Sequence, residues 1–252
     1  AASDVYKRQT QEEATGSSQD LKDANFTFRA NYNYNKRYMF EGTLSAMGSN
    51  KFEKGNQYFF ARAIGAAWVL SNESFLKDVE NVDFLKLKAS YGHLGYAGNT
   101  GFFLYRTNWK KGDKEEFRPT IGGNTTDLSR WGNPDLKWEY SNELNVGIEG
   151  LFFDNRLSTE INYFRELRKN IIGVNNAKYA ATGGDFIPYE NIGEVMNQGF
   201  DAYVNWNDKI GKDFIYNVGF NVTYTKNELR KSNELSNIEE LSLIHISEPT
   251  RP

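Results

Sequence analysis

The sequence predicts an all-β protein, namely the wall of an antiparallel transmembrane β-barrel with about eight strands. Three observations predict it: long alternating strands, connections of two length classes, and aromatic residues near both strand ends. The clearest strand runs within residues 133–165, where Leu144, Val146 and Ile148 alternate with polar residues. A period of two gives a strand one apolar and one polar face. The alternation lasts about 15 residues, whereas strands of soluble domains have about 5–6 and bilayer-crossing strands about 9–11.

The same alternation places eight strands along the chain. They are predicted at 24–34, 38–46, 58–70, 84–92, 138–152, 157–165, 200–206 and 214–224. Tight turns are expected at 35–37 and at Asp154 and Asn155, because Asn and Asp tolerate positive φ. A short helix is predicted at 73–78 and a small hairpin at 102–109. The polar segments 93–133 and 167–198 are interpreted as long loops.

The connections between these strands alternate in length. The first, third, fifth and seventh have about 3, 13, 4 and 6 residues, and the others about 10, 41 and 32. In an antiparallel meander, alternate connections lie at the same end of the sheet. One end is therefore expected to carry tight turns and the other long loops, as in outer-membrane barrels. A soluble Greek-key sandwich distributes its loop lengths over both ends.

Aromatic residues fall near both ends of the predicted strands. Those beside the short turns are Tyr34, Tyr38, Trp68, Phe152, Trp206 and Phe214. Those near the far ends are Phe26, Phe60, Tyr91, Trp138, Tyr163 and Tyr224. Two aromatic girdles are typical of the two lipid–water interfaces. The alternative is that these side chains form the core of a soluble β-sandwich that binds glycans.

The two ends of the chain form an inverted repeat at the level of DNA. DVYKRQ near the start can be encoded by GATGTGTATAAGAGACAG, whose reverse complement encodes LSLIHI near the end. This pattern resembles a transposon adapter from a sequencing library, translated as if it were coding. Residues 1–9 and 241–252 are therefore expected to be adapter-derived and to make few contacts with the sheet. Residues 10–240 are expected to be an internal piece of a longer protein.

Composition excludes several classes of function. The net charge of −3 gives no reason to expect nucleic-acid binding, and the absence of cysteine excludes thiolate chemistry. The longest apolar run, 63–70, is too short for a transmembrane helix. His93 is the only histidine of residues 10–240 and is expected to be a solvated loop residue, so zinc motifs are excluded. Glu139 and Glu143 are expected to line the lumen. No enzyme activity, cofactor or metal is expected.

Four stretches together resemble the SusC/RagA type of TonB-linked outer-membrane proteins. They are NYNYNKRYMFEGTLSAMGSNKF at 31–52, FLKLKASYGHLGYAGN at 84–99, NPDLKWEYSNELNVGIEGLFFDNRLSTEINYF at 133–164 and ENIGEVMNQGFDAYVNW at 190–206. The resemblance implies a fragment of the C-terminal half of a 22-stranded barrel, present as an open curved sheet. It also implies a Gram-negative outer-membrane location and an N-terminal plug outside this sequence. Met47 departs from the family, which often has Arg or Asp there.

The implied function is TonB-driven import of oligosaccharides or peptides beneath a SusD-like surface lipoprotein. A siderophore receptor of the same architecture is the alternative within this class. Loop aromatics are the candidate contacts to solute or lid, with loop–loop packing as the other interpretation of each: Tyr105, Trp109, Trp131, Tyr179, Phe186 and Tyr189. Lumen-facing positions are expected at Lys137, Glu143, Asn145, Asp201 and Asn221.

Overall fold

The computed structural model describes residues 20–77, 79–98, 100–118, 121–175, 187–211 and 213–232. Both expected adapter segments lie outside these ranges, as do the candidate residues Tyr179 and Phe186. Side chains of residues 113–124 are also outside the description.

Ten β-strands make up most of the described chain. They are β1 (Asp23–Tyr34), β2 (Tyr38–Ser49), β3 (Tyr58–Val69), β4 (Val82–Tyr96), β5 (Asn108–Arg118), β6 (Ile121–Arg130), β7 (Glu139–Phe152), β8 (Leu157–Val174), β9 (Tyr189–Ile210) and β10 (Phe214–Lys231). Eight of them form one antiparallel sheet in the order β1-β2-β3-β4-β7-β8-β9-β10. The predicted all-β fold and its eight-stranded sheet are confirmed. The remaining pair, β5 and β6, forms a separate two-stranded hairpin.

The tight turns form where short polar residues adopt positive φ. Asn35 and Lys36 have φ of 51° and 54°, and the N–H of Arg37 donates to the carbonyl of Tyr34, which closes the three-residue connection between β1 and β2. Asp154 and Asn155 have φ of 60° and 61°, as their residue types predict. Phe153 also has φ of 60°, which its bulky side chain did not predict. The turns at 35–37, 70–81, 153–156 and 211–213 share one end of the sheet, called here the turn end.

Three elements differ from the sequence-based prediction. The segment 167–198 is mainly strand, because β8 extends to Val174 and β9 begins at Tyr189. The prediction of a small hairpin at 102–109 is wrong, since residues 102–106 form turns and bends. The hairpin of this region consists of β5 and β6. The prediction of a helix at 73–78 is also wrong. A one-turn 3-10 helix spans Leu70–Asn72, and hydrogen-bonded turns follow it through residue 77. No helix in the described ranges is long and apolar enough to span a membrane.

The sheet has an apolar face and a polar face, as the alternation predicted. On the apolar face Ile64, Val218 and Phe220 are each about two-thirds exposed. The polar face carries cross-strand ion pairs such as Arg29–Glu41 at 2.8 Å and Lys86–Glu149 at 2.5 Å. Register places four of the expected lumen positions on this polar face: Glu143, Asn145, Asp201 and Asn221. The fifth, Lys137, precedes β7 and has no register position in the sheet, so its placement stays a prediction.

Candidate functional site at the long-loop end

The buried core lies at the end of the sheet that carries the connections 50–57, 97–138 and 175–188, called here the loop end. The segment 133–138 (NPDLKW) supplies half of it. Leu136 is 1% exposed and Trp138 is 6% exposed, and both pack with Phe52 and Leu104. Trp138 was expected on the lipid-facing girdle. That expectation is wrong, because β7 begins one residue later and the indole turns inward onto Phe52.

A continuous row of rings extends from this core onto the sheet. Phe52 stacks on Trp138 with ring centroids 5.2 Å apart, and Phe59 lies 5.9 Å from Trp138. Phe59 also stacks on His93 at 5.2 Å, and His93 lies 4.9 Å from Tyr140. Aromatic pairs at these separations add stability beyond the area that they bury. The row therefore ties the loop at 50–57 to β3, β4 and β7.

His93 is part of the sheet and does not belong to a solvated loop. β4 continues through Tyr96, and the imidazole packs against the rings of Phe59 and Tyr140 and is only partly exposed. Its Nδ1 lies 2.7 Å from Oδ1 of Asn142 on β7. The expectation of a solvated histidine was wrong because the length of β4 was underestimated.

Side-chain hydrogen bonds hold the segment 133–138 against the connection 50–57 and against the first residues of β9. The indole N–H of Trp138 donates to the carbonyl of Asn56 at 3.1 Å. The amide of Asn133 donates to the carbonyl of Tyr189 at 2.7 Å. Asn191 exchanges two bonds with Lys137, accepting its N–H at 2.9 Å and donating to its carbonyl at 2.8 Å. A buried backbone needs such partners wherever no strand supplies them.

Glu139 and Arg168 form an ion pair at the start of β7. The Glu139 side chain is 3% exposed, and its Oε2 accepts from Arg168 at 2.5 Å while Oε1 accepts the N–H of Ile172 at 3.1 Å. The guanidinium also lies over the Tyr96 ring, 4.7 Å from its centroid. Glu139 was expected to line the lumen. It is instead a buried anchor that holds the irregular end of β8, where Asn170 has φ of 57°.

The candidate loop aromatics have different environments. Trp109 and Trp131 are 57% and 50% exposed and lie on either side of the base of the β5–β6 hairpin. Tyr105 lies in the preceding turn, where the Arg106 guanidinium is 5.2 Å from its ring centroid. Tyr189 packs against the core cluster. Trp109, Trp131 and Tyr105 thus lie in or beside one hairpin. Tyr189 contributes to the packed core cluster.

The β5–β6 hairpin escaped the sequence-based prediction. Its strands carry charged and small residues with little apolar alternation, so periodicity gave no signal. One signal is Gly132 at its base. A Cβ on this residue would lie 2.4 Å from the backbone of Arg106 and Thr107, a separation that real structures do not show. The close crossing of the two chain segments therefore requires glycine.

The described side chains of this region offer aromatic rings, amides and charged groups, of which Glu139 and Arg168 form an ion pair. No group of three or more His, Cys, Asp or Glu in the described part of the chain is arranged to hold a metal ion. The loop end combines the exposed indoles of Trp109 and Trp131 with the buried aromatic core formed by Phe52 and Trp138.

Comparison with known proteins identifies the fold. The sequence model of the family described as "TonB dependent receptor-like, beta-barrel" matches residues 3–244 of the 252-residue chain. The chain belongs to this TonB-dependent receptor family. TonB-dependent receptor P3 of Formosa agariphila is 30% identical over 204 residues, which cover 81% of this chain and 20% of the relative. TonB-dependent receptor SusC of Bacteroides thetaiotaomicron is 29% identical over 209 residues, covering 81% and 20%.

Solved structures of the family have the same fold. The RagAB peptide importer in its "closed-closed" state superposes with a TM-score of 0.73 at 24% identity, covering 85% of this chain and 23% of that chain. The siderophore receptor PirA from Pseudomonas aeruginosa gives a TM-score of 0.51 at 18% identity, covering 84% and 35%. The chain spans about a fifth of the length of the curated relatives that it matches. The predicted SusC/RagA resemblance is confirmed, and the sheet is a portion of a TonB-dependent receptor β-barrel of that type.

Proposed function

We propose that the receptor containing this chain imports oligosaccharides or peptides across the outer membrane. A SusD-like surface lipoprotein covers its loop end, and a TonB complex supplies the energy through regions outside this sequence. Similarity to SusC and to a structure described as a peptide importer supports this class of cargo. The apolar face, with its exposed Ile64 and Phe220, then faces lipid, and the polar face lines the lumen.

The observation that carries the proposal is the pair of exposed indoles at the base of the β5–β6 hairpin. Trp109 and Trp131 are half exposed or more, although tryptophan normally buries most of its surface. Aromatic faces stack on sugar rings and on apolar side chains of peptides. In this role Trp109, Trp131 and Tyr105 contact the solute or the lipoprotein. Tyr179 and Phe186 remain proposed contacts, and Tyr189 supports the platform from below.

The loop end acts in this proposal by binding and not by catalysis. Glu139 and Arg168 neutralise each other in an ion pair, and His93 packs against the rings of Phe59 and Tyr140. The proposed site therefore needs no cofactor or metal. Cargo is recognised by stacking and hydrogen bonds and is released by the motion that TonB drives.

A binding assay on the full-length receptor tests the proposal. The purified receptor, with its lipoprotein, is titrated by calorimetry against panels of oligosaccharides, peptides and ferric siderophores. We expect binding from the first or second panel and about a tenfold or greater weakening in the W109A/W131A variant, since each stacked ring contributes about 1 kcal/mol. The matched control is Phe75→Ala, because Phe75 is 62% exposed at the turn end.

The siderophore alternative gives a different result in the same assay. The structural likeness to PirA supports the barrel fold shared by both classes. Binding confined to the ferric siderophore panel would replace the proposed cargo. Unchanged cargo affinity in W109A/W131A would show that the hairpin does not contact the cargo. The class of cargo would still be decided by which panel of compounds binds.

A further inference from the structure

Cross-strand rows on the apolar face change from aromatic to basic toward the loop end. Tyr163, Phe200 and Tyr224 occupy directly opposed positions on β8, β9 and β10. The rings of Phe200 and Tyr224 stack with centroids 5.8 Å apart. Two residues further toward the loop end, the opposed row is Arg165, Gln198 and Lys226.

Residues in this second row point to the same face as the aromatic row, because successive side chains alternate and the step is two residues. Arg165 and Lys226 are exposed, and Gln198 between them is partly exposed. Within the described residues neither cation forms an ion pair with a carboxylate. Two neighbouring strand spacings put the two cations about 10 Å apart, with an amide donor between them.

The next cations along the same face are already neutralised in part. Lys169 and Lys231 both approach Glu194, at 3.8 Å and 4.0 Å. Glu228 lies 3.7 Å from Arg230. On β8, β9 and β10, the positive charge without an ion pair on the apolar face is therefore concentrated in the row closest to the aromatic row.

The height of this row relative to the bilayer follows from strand geometry. Two residues advance about 7 Å along a strand, which for a strand tilted by about 45° is roughly 5 Å along the membrane normal. Aromatic girdles mark the edge of the hydrocarbon layer, and the headgroup layer beyond it is about 5–8 Å thick. Arg165, Gln198 and Lys226 thus lie at headgroup height on the lipid-facing wall.

We propose that Arg165, Gln198 and Lys226 form a binding site for the phosphate groups of a phosphorylated lipid in the outer leaflet. The guanidinium offers a fork of N–H donors, the ammonium a mobile point charge, and the amide a neutral donor between them. The lipid acyl chains lie along the apolar residues directly below, including Tyr163 and Tyr224. The site rests on the proposed placement of the apolar face against lipid, and it has no part in cargo recognition.

Lipid binding to the full-length receptor in detergent tests the inference. Fluorescent diphosphoryl lipid A is titrated and followed by anisotropy, with its dephosphorylated form as a second probe. We expect the diphosphoryl form to bind more tightly, and we expect R165Q/K226Q to lose about twentyfold in affinity for it, since each cation near a charged lipid surface contributes about fivefold. The matched control is K110Q/K111Q, which removes two exposed lysines of the β5–β6 hairpin.

The contrary outcomes are distinct. Equal affinity of R165Q/K226Q and the unsubstituted receptor overturns the site, and an equal loss in K110Q/K111Q shows attraction by net charge alone. Complete displacement by millimolar inorganic phosphate assigns the row to free phosphate and overturns the lipid assignment. Cargo titrations on the same samples separate the two proposals. Lost lipid discrimination with intact cargo binding refutes only this inference, and absent cargo binding with intact lipid discrimination refutes only the transport proposal.

Discussion

Lys88 on β4 and Glu160 on β8 form an ion pair although β7 runs between their strands. The residue beneath them is Gly147, which is opposite Lys88 on one side and Asn162 on the other. A Cβ at this position would lie 2.2 Å from Oδ1 of Asn162 and 2.9 Å from Cε of Lys88. Because Gly147 has no side chain, the space over β7 is open, and the Lys88 ammonium and the Glu160 carboxylate meet there.

Substitution of Gly147 by alanine is expected to destabilise the barrel by about 1–3 kcal/mol, the usual cost of forcing atoms into an occupied space. Its Cβ would also lie 3.1 Å from the carbonyl of Ile161, which is backbone and cannot swing away. The measurement is urea unfolding of the full-length receptor in detergent, followed by tryptophan fluorescence. Gly65→Ala is the control, because its Cβ would meet no atom closer than 3.8 Å. Equal midpoints for the two variants would contradict the crossing.

Truncation of Trp138 is expected to cost about 3–5 kcal/mol and to loosen the loop end. The side chain is 6% exposed, stacks on Phe52 and donates to Asn56, so W138A leaves a cavity and an unpaired carbonyl. The measurement is hydrogen exchange of residues 50–57, which should accelerate. W131A serves as the comparison, since Trp131 is 50% exposed and its loss should change the free energy of unfolding by no more than about 0.5 kcal/mol. Unchanged exchange in W138A would show that the ring row is not a stabilising core.

Acidification is expected to release the connector between β3 and β4 at the turn end. Oε1 of Glu73 accepts from the Tyr38 hydroxyl at 2.8 Å and from the Trp68 indole at 3.1 Å, and Oε2 accepts from Arg37 at 3.4 Å. The hydrogen bond from Tyr38, then that from Trp68, holds the pKa of Glu73 below its usual 4.5, with a smaller contribution from the charge of Arg37 against desolvation. A lowered pKa in the folded state means that the carboxylate stabilises the fold above the usual value. That stabilisation is lost as the pH falls through the folded pKa.

Hydrogen exchange of residues 70–77 between pH 7 and pH 3 measures this release, after correction for the intrinsic pH dependence of exchange. We expect protection to be constant above the usual pKa of Glu73 and to decline below it. The Glu73→Gln variant should show lower protection at neutral pH and no decline. Parallel profiles for the two proteins would show that the carboxylate does not hold the connector.

Residues 10–240 expressed alone are expected to aggregate in buffer without detergent. β1 and β10 are the edges of the eight-stranded sheet, so each leaves one row of backbone groups without a strand partner in that sheet. The apolar face is exposed, with Ile64 at 66% and Phe220 at 67%. Size-exclusion chromatography with light scattering checks this, with detergent-solubilised protein as the comparison. A sharp monomer peak without detergent, with a cooperative thermal transition, would contradict the lipid-facing assignment.

The sequence by itself determined the strands, their faces and most of the tight turns. Leu144, Val146 and Ile148 alternate with polar residues, and this pattern alone specifies a strand with one apolar face. Asn35 and Asp154 mark turns because their side chains tolerate positive φ. Such signals are local, since each depends on residues within a few positions of one another. Once the strand bounds were predicted, the number of residues between them gave the two length classes of connection. The position of each aromatic residue within its strand gave the two girdles.

Only the tertiary structure decided where the strands end and what the loop residues contact. Trp138 and His93 looked like a girdle residue and a solvated histidine, yet their partners Phe52 and Phe59 come from another connection and another strand. β8 and β9 continue through polar residues because each strand satisfies the backbone groups of the other, which periodicity does not record. The ion pair over Gly147 likewise depends on the register of three strands. Contacts between residues distant in sequence fix these features, and a local pattern carries no information about them.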